Sequence, residues 1–256
     1  MKKAIVCLVF TFTFFSLYTV DAQTFTLGLR GGISIPNLTA GSNNRNPLNT
    51  GYSSRLGPDF GLFGEFRLSK LFSIQPMLEY SSQGGKKNGL QAITTPDELA
   101  QMFQPGPAPA YLYANYKSEA KLNYLLIPVL AKFGWNFNKS PVRFYADAGP
   151  FAGFLLSAHQ VTSGQSEFYT DPAGTQPLPG GPQSFNANTD VKSSLHTFNV
   201  GLEANIGFNY QLGQSSIFIE GGGNFGFMNI QKYAKDGKNN TGAAVATIGY
   251  SYRFGK

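Results

Sequence analysis

From residue 25 onward, apolar and polar positions alternate along the chain. In Phe25-Thr26-Leu27-Gly28-Leu29-Arg30-Gly31-Gly32-Ile33-Ser34, odd positions are apolar or glycine and even positions are polar or glycine. A repeat of two belongs to a strand whose successive side chains leave opposite faces. The repeat returns over 60–68, 72–82, 122–135, 142–157, 198–210, 217–229 and 243–254, so eight strands are expected. Each is near or above the roughly 9 to 11 residues with which a tilted strand crosses a bilayer. Beyond residue 22 no apolar run approaches the roughly 20 residues of a membrane helix.

The spacing between strands selects the architecture. Polar stretches at 36–55, 83–120, 159–193 and 230–242 alternate with tight turns at 69–70, 136–140 and 213–214. A closed up-and-down barrel keeps long loops at one end and short turns at the other, whereas a soluble sandwich has no reason to segregate them. The expected fold is therefore all-β, an eight-stranded antiparallel up-and-down transmembrane β-barrel. Its long loops would be extracellular, and its turns and both termini periplasmic.

The two faces of the strands differ in chemistry. One carries residues such as Leu27, Leu62, Leu78, Ile127, Ile206, Ile219 and Ile248. The other carries Arg30, Glu65, Arg67, Glu79, Lys132, Arg143, Asp147, Glu203, Glu220 and Arg253, five acids and five bases. A basic residue facing hydrocarbon at the midplane costs about 2–4 kcal/mol, so the apolar face should meet lipid and the charges the lumen. Eight strands leave an interior only wide enough for side chains. A paired charge network should fill it, which predicts a plugged barrel with no general diffusion pore. Trp135, Phe133, Phe137, Phe144, Phe72, Phe208, Tyr210, Tyr252 and Phe254 fall near the turn ends of their strands, where an aromatic girdle belongs.

Composition agrees with this division. Only 13% of residues are charged, against roughly 25% in a soluble domain. Residues 1–22 read as a cleaved signal peptide: Lys2 and Lys3 precede an apolar run, and small residues precede Gln23. The barrel domain is then 23–256. Cys7, the single cysteine, would leave with the leader, which excludes cysteine chemistry from the mature chain. The formal net charge of +6 is spread without a basic helix or an aromatic platform, so no nucleic acid is expected. Instead Lys86, Lys87, Lys117, Lys121, Lys192, Lys232, Lys235 and Lys238 gather in or beside the long loops. There they would face the phosphates of lipopolysaccharide.

Three segments resemble a known family. Tyr124-Leu125-Leu126-Ile127-Pro128-Val129-Leu130-Ala131-Lys132 is similar to the Ile-Pro strand of the PorT-like outer-membrane β-barrel proteins of Gram-negative bacteria. Tyr145, Gly149, Pro150, Gly153 and Leu155 resemble the glycine-proline strand that follows, and 28–38 resembles the opening strand. The resemblance implies an eight-stranded barrel in the outer membrane. The family's namesake serves protein secretion, but most members have no assigned activity, so envelope or secretion proteins are expected partners only in general terms. The chain departs from the pattern in ending Phe254-Gly255-Lys256 and in its expanded, proline-rich second and third long loops.

Motifs that suggest catalysis mostly fail on context. Gly221-Gly222-Gly223-Asn224-Phe225-Gly226 matches a dinucleotide fingerprint but lies inside a strand and opens no helix. Alternation puts His159 on the inward phase and His196 on the outward one, which argues against a shared metal. Ser194 and His196 invite comparison with lipid A deacylases, though in reversed order and without an acid on that face. Thr95-Pro96-Asp97-Glu98 reads as a capping box starting a helix over 96–103. Nearby, Tyr111, Tyr113 and Tyr116 with Lys117 form a candidate surface for a sugar or partner, together with Lys86 and Lys87. The expected function is a non-enzymatic, monomeric outer-membrane barrel, without cofactor or metal, that displays loops for interaction or envelope stability. The alternatives are a lipid A-modifying small barrel and a soluble ligand-binding barrel.

Overall fold

The computed structural model describes residues 24–40 and 46–255; the expected leader over 1–22 lies outside the described residues. Eight long strands follow in order: β1 (Phe25–Ala40), β2 (Gly57–Arg67), β3 (Phe72–Thr94), β4 (Tyr111–Asn136), β5 (Val142–Ser163), β6 (Phe198–Leu212), β7 (Ser215–Gly226) and β8 (Asn239–Phe254). Each pairs antiparallel with its neighbours in sequence, and β1 pairs with both β2 and β8, so the sheet closes into a ring. Closure leaves the wall without an open edge.

The alternation expected for each strand appears as alternating burial. In β6 every second residue from Asn199 to Asn205 is buried, while Val200, Leu202 and Ile206 are exposed on the outer wall. The wall is apolar from rim to rim, as a lipid-facing surface must be. Aromatic rings close the turn end: Phe66, Phe25, Phe254 and Tyr252 touch in series, as do Trp135, Phe144 and Phe208. A second set at the loop end, Phe154 with Phe198 and Phe225 with Phe227, was not expected from the sequence.

Several strands run past their expected ends, β3 and β4 furthest. The stretch 83–120, read from sequence as a loop, is mostly a hairpin in which Gln83 to Thr94 of β3 pairs with Tyr111 to Leu122 of β4. Its polar composition hid it, because beyond the lipid neither face needs to be apolar. Gly84 marks the transition. Its φ is +117°, and a Cβ there would lie 1.9 Å from the Ala120 carbonyl oxygen. The expected capping box does not form. Thr95 donates its hydroxyl to the Pro109 carbonyl, and the helix is one short turn, Asp97–Ala100, continued by a tighter turn, Gln101–Phe103.

Two of the three segments that carry the family resemblance meet across β4 and β5, and the third lies in β1. Tyr124 and Pro128 point into the barrel, whereas Ile127 is exposed on the wall and Leu125 is half-buried. Pro128 pairs with Phe151 and Ala131 with Ala148, and the ladder is interrupted between them, where Gly149 and Pro150 sit. Proline removes a ladder donor, and glycine lets the strands close up: a Cβ on Gly149 would be 2.0 Å from the Val129 carbonyl oxygen. Gly149→Val should lower stability by about 1–3 kcal/mol, read as a lower urea midpoint in the emission of Trp135, the single tryptophan.

Candidate functional site

Two regions concentrate chemistry: the lumen and the vestibule at its loop end. All ten expected lumen residues lie on the inward phase, but their pairing is not one-to-one. Arg30 stands at the centre, its side chain 1% exposed. It bonds Glu220 on β7, Glu79 on β3 at 2.8 Å and Glu203 on β6 at 2.9 Å, with Asp59 on β2 at 4.0 Å. Tyr145 donates to Glu220 at 2.9 Å, and Asn205 bridges Glu203 and Asp147 at 3.0 Å each. One guanidinium thus ties four strands together across the lumen.

The bases collect instead toward the turn end. Glu65 accepts from Ser73 at 2.8 Å and lies 3.5 Å from Lys132 and 4.0 Å from Arg67. Lys132 also donates to Gln75 and stands 3.9 Å from the Tyr145 ring centroid, a cation–π distance. Arg143 fills the space left by Gly134, where a Cβ would be 2.2 Å from its guanidinium. Arg253 donates to the Gly213 carbonyl in the turn. Among the described residues neither Arg143 nor Arg253 has a carboxylate within 4.0 Å. The expectation of an evenly paired network is therefore corrected: acids dominate at mid-barrel and bases at the turn end. Asp59, missed because it precedes the recognised alternation of β2, adds a sixth acid.

The lumen is also not purely polar. Phe63, Met77, Leu130, Tyr145 and Phe218 form an apolar cluster inside the wall. A second cluster, including Leu38, Leu122, Leu126, Phe151, Leu195 and Ile230, lies toward the loop end. Between the turn-end charges the remaining space is about 30 Å³, room for little more than a water molecule.

Above the second cluster the four long connections surround an open vestibule of about 340 Å³. Arg55 clamps the first loop to the hairpin, bonding Glu119 at 2.7 Å, Ser82 at 2.8 Å and the Gln83 carbonyl at 3.1 Å. Ser53 and Lys86 exchange backbone bonds. The third loop folds back too, with Ala187–Asp190 adding to β5 and Phe185 stacked on Tyr116 at 4.5 Å. Lys87 turns inward and is 7% exposed. It donates to the Leu48 carbonyl at 2.6 Å and lies 4.3 Å from the Tyr52 ring centroid. Burial lowers its pKa to about 8.

This placement breaks up the expected loop surface. Strand alternation puts Tyr116 and Lys87 on the inner face, while Lys86 and Lys117 are exposed and Tyr111 and Tyr113 half-buried. Tyr113 pairs with Tyr169 of the third loop. The six do not form one platform. Of the other lysines, Lys121 lies 3.6 Å from Glu119, and Lys192 and Lys232 donate to the Leu156 and Ser193 carbonyls. His159 is also relocated. A bulge opposite Asn123 and Tyr124 inserts Leu156 and shifts the phase of β5. Ala158 is buried and Gln160 lines the vestibule, so His159 faces outward. Ser194 lines the vestibule and His196 is exposed. The glycine run over 221–226 lies in β7, and Gly222 sits where a Cβ would meet Asn205.

The chain matches the model of the outer membrane protein beta-barrel domain over residues 21–232. No curated protein matches it. Among solved structures it is similar to Neisserial surface protein A, with 12% identity, 91% of this chain and 100% of that one covered, and a TM-score of 0.43. It is also similar to OprG from Pseudomonas aeruginosa, with 10% identity, coverages of 92% and 98%, and a TM-score of 0.38. The family match spans most of the chain and agrees with the closed eight-strand ring, its apolar wall and its charged lumen. With that agreement, the chain belongs to the outer membrane protein β-barrel domain family, whose members reside in the Gram-negative outer membrane.

Proposed function

We propose that this barrel is a non-enzymatic member of the family that presents an ordered crown of loops at the cell surface. The carrying observation is the contrast between its two ends. The lumen is packed with charged and apolar side chains down to its turn end, while β3, β4 and β5 continue beyond the wall into a crown that all four loops complete. A filled lumen suits anchoring rather than diffusion. The crown stands outside, with both termini and the short turns periplasmic, as in a PorT-like barrel. The protein acts as a monomer and meets lipopolysaccharide through its exposed lysines.

The test purifies the wild type and a Lys86→Gln, Lys117→Gln, Lys238→Gln variant and quantifies co-purified lipopolysaccharide by mass spectrometry. The variant should carry less, because each substitution removes an exposed cation facing anionic phosphates. Equal amounts would refute the lipopolysaccharide contact. The same spectra from cells carrying His196→Ala should show an unchanged lipid A acyl pattern. An altered pattern would favour the lipid-modifying reading centred on Ser194 and His196.

A further inference from the structure

We propose that the vestibule binds a small amphiphilic monocarboxylate, with its carboxylate on Lys87 and its apolar body over Leu38, Leu122, Leu195 and Ile230. The site does not depend on the surface-display reading, since it concerns the inner face of the crown.

Its floor and wall are chemically distinct. The four floor residues belong to the loop-end apolar cluster and separate the cavity from the charged lumen below. Above them Lys87 supplies a buried ammonium. That group has three donors, of which the Leu48 carbonyl takes one. The Tyr52 ring offers a cation–π contact, and among the described residues no carboxylate oxygen lies within 4.0 Å of it. A buried cation is costly unless paired, and an incoming anion completes the pairing. Size and charge narrow the ligand further. The volume of about 340 Å³ is at the small end of ligand pockets. Asp236 of the fourth loop also lines the cavity, which disfavours a polyanion such as a lipopolysaccharide head group. Polar side chains on the rim, Gln91, Gln160 and Gln231, can orient a carboxylate without adding charge.

Binding should weaken as pH rises through about 8, where Lys87 loses its proton. Tyr52 of the first loop, raised to about 12 by burial, stays neutral there. Tyr116 of β4 is also raised by burial. Asp236 is the remaining titratable group of the lining. Lys87 is therefore the group that sets the window.

The test uses the full barrel in lipid nanodiscs with phenylbutyrate as probe, read by saturation-transfer NMR near neutral pH. The wild type should bind saturably. Lys87→Met, which keeps the aliphatic stem, should bind about tenfold or more weakly, the loss of one charge-assisted bond. Phenylbutanol, the neutral analogue, should bind the wild type that weakly and be indifferent to Lys87→Met. Leu195→Trp, which fills the floor, should abolish binding; Ile230→Phe is the second cavity-filling variant if the first fails to fold by heat-modifiable gel mobility. Absence of saturable binding would overturn the proposal. So would equal affinity of acid and alcohol, an unaffected Lys87→Met, or binding that survives a folded cavity-filling variant.

Discussion

Arg30→Met is expected to destabilise the barrel by about 3–5 kcal/mol, the cost of breaking a buried ion cluster by removing one partner. The side chain is 1% exposed and is the only cation bonded to Glu79, Glu203 and Glu220 among the described residues. Methionine fills similar length but leaves those carboxylates and Asp59 facing one another. The effect should appear as a lower urea midpoint in Trp135 emission and a smaller heat-modifiable folded fraction. Adding Glu79→Gln and Glu203→Gln to Arg30→Met should recover much of the loss, because neutral amides no longer repel. Arg30→Lys should fall between, since a single ammonium cannot reproduce the guanidinium fork. A wild-type midpoint for Arg30→Met would show that the cluster holds nothing together.

Ile206→Arg should cost about 2–4 kcal/mol, the depth-dependent penalty for a basic residue on the lipid face near the midplane. Ile206 lies near the centre of β6, is 59% exposed on the outer wall, and pairs with Ala146 and Gly221. Tyr210→Arg, closer to the turn end of the same strand and face, should cost only about 0–1 kcal/mol, because its head reaches the interface. Urea unfolding in lipid vesicles measures both. Equal costs would mean that depth does not govern this wall, and no cost at Ile206 would contradict a lipid-facing β6.

The parts legible in the sequence were those governed by a short-range repeat. Hydrocarbon outside and a packed interior force alternation on every strand, so Leu27 and Arg30, or Ile206 and Glu203, could be assigned to faces without coordinates. The hairpin over 83–120 escaped because its strands stand outside lipid, where the apolar half of the repeat is not required. His159 was misplaced for a related reason. A single inserted residue, Leu156, reverses the phase of everything after it, and no local pattern marks the bulge.

Chain order and alternation alone therefore determined the number of strands, their up-and-down order, the lipid-facing side and the inward placement of ten charges, Asp59 having escaped. Only the tertiary structure decided which charges meet. Register and barrel shear bring Arg30 against acids from β2, β3, β6 and β7 while leaving Arg143 and Arg253 near the turns, a sorting that equal numbers of each sign could not reveal. The vestibule is likewise a product of closure. Leu38, Tyr52, Lys87, Leu195 and Ile230 come from separate segments, and they become neighbours because the ring of strands returns their loops to one place.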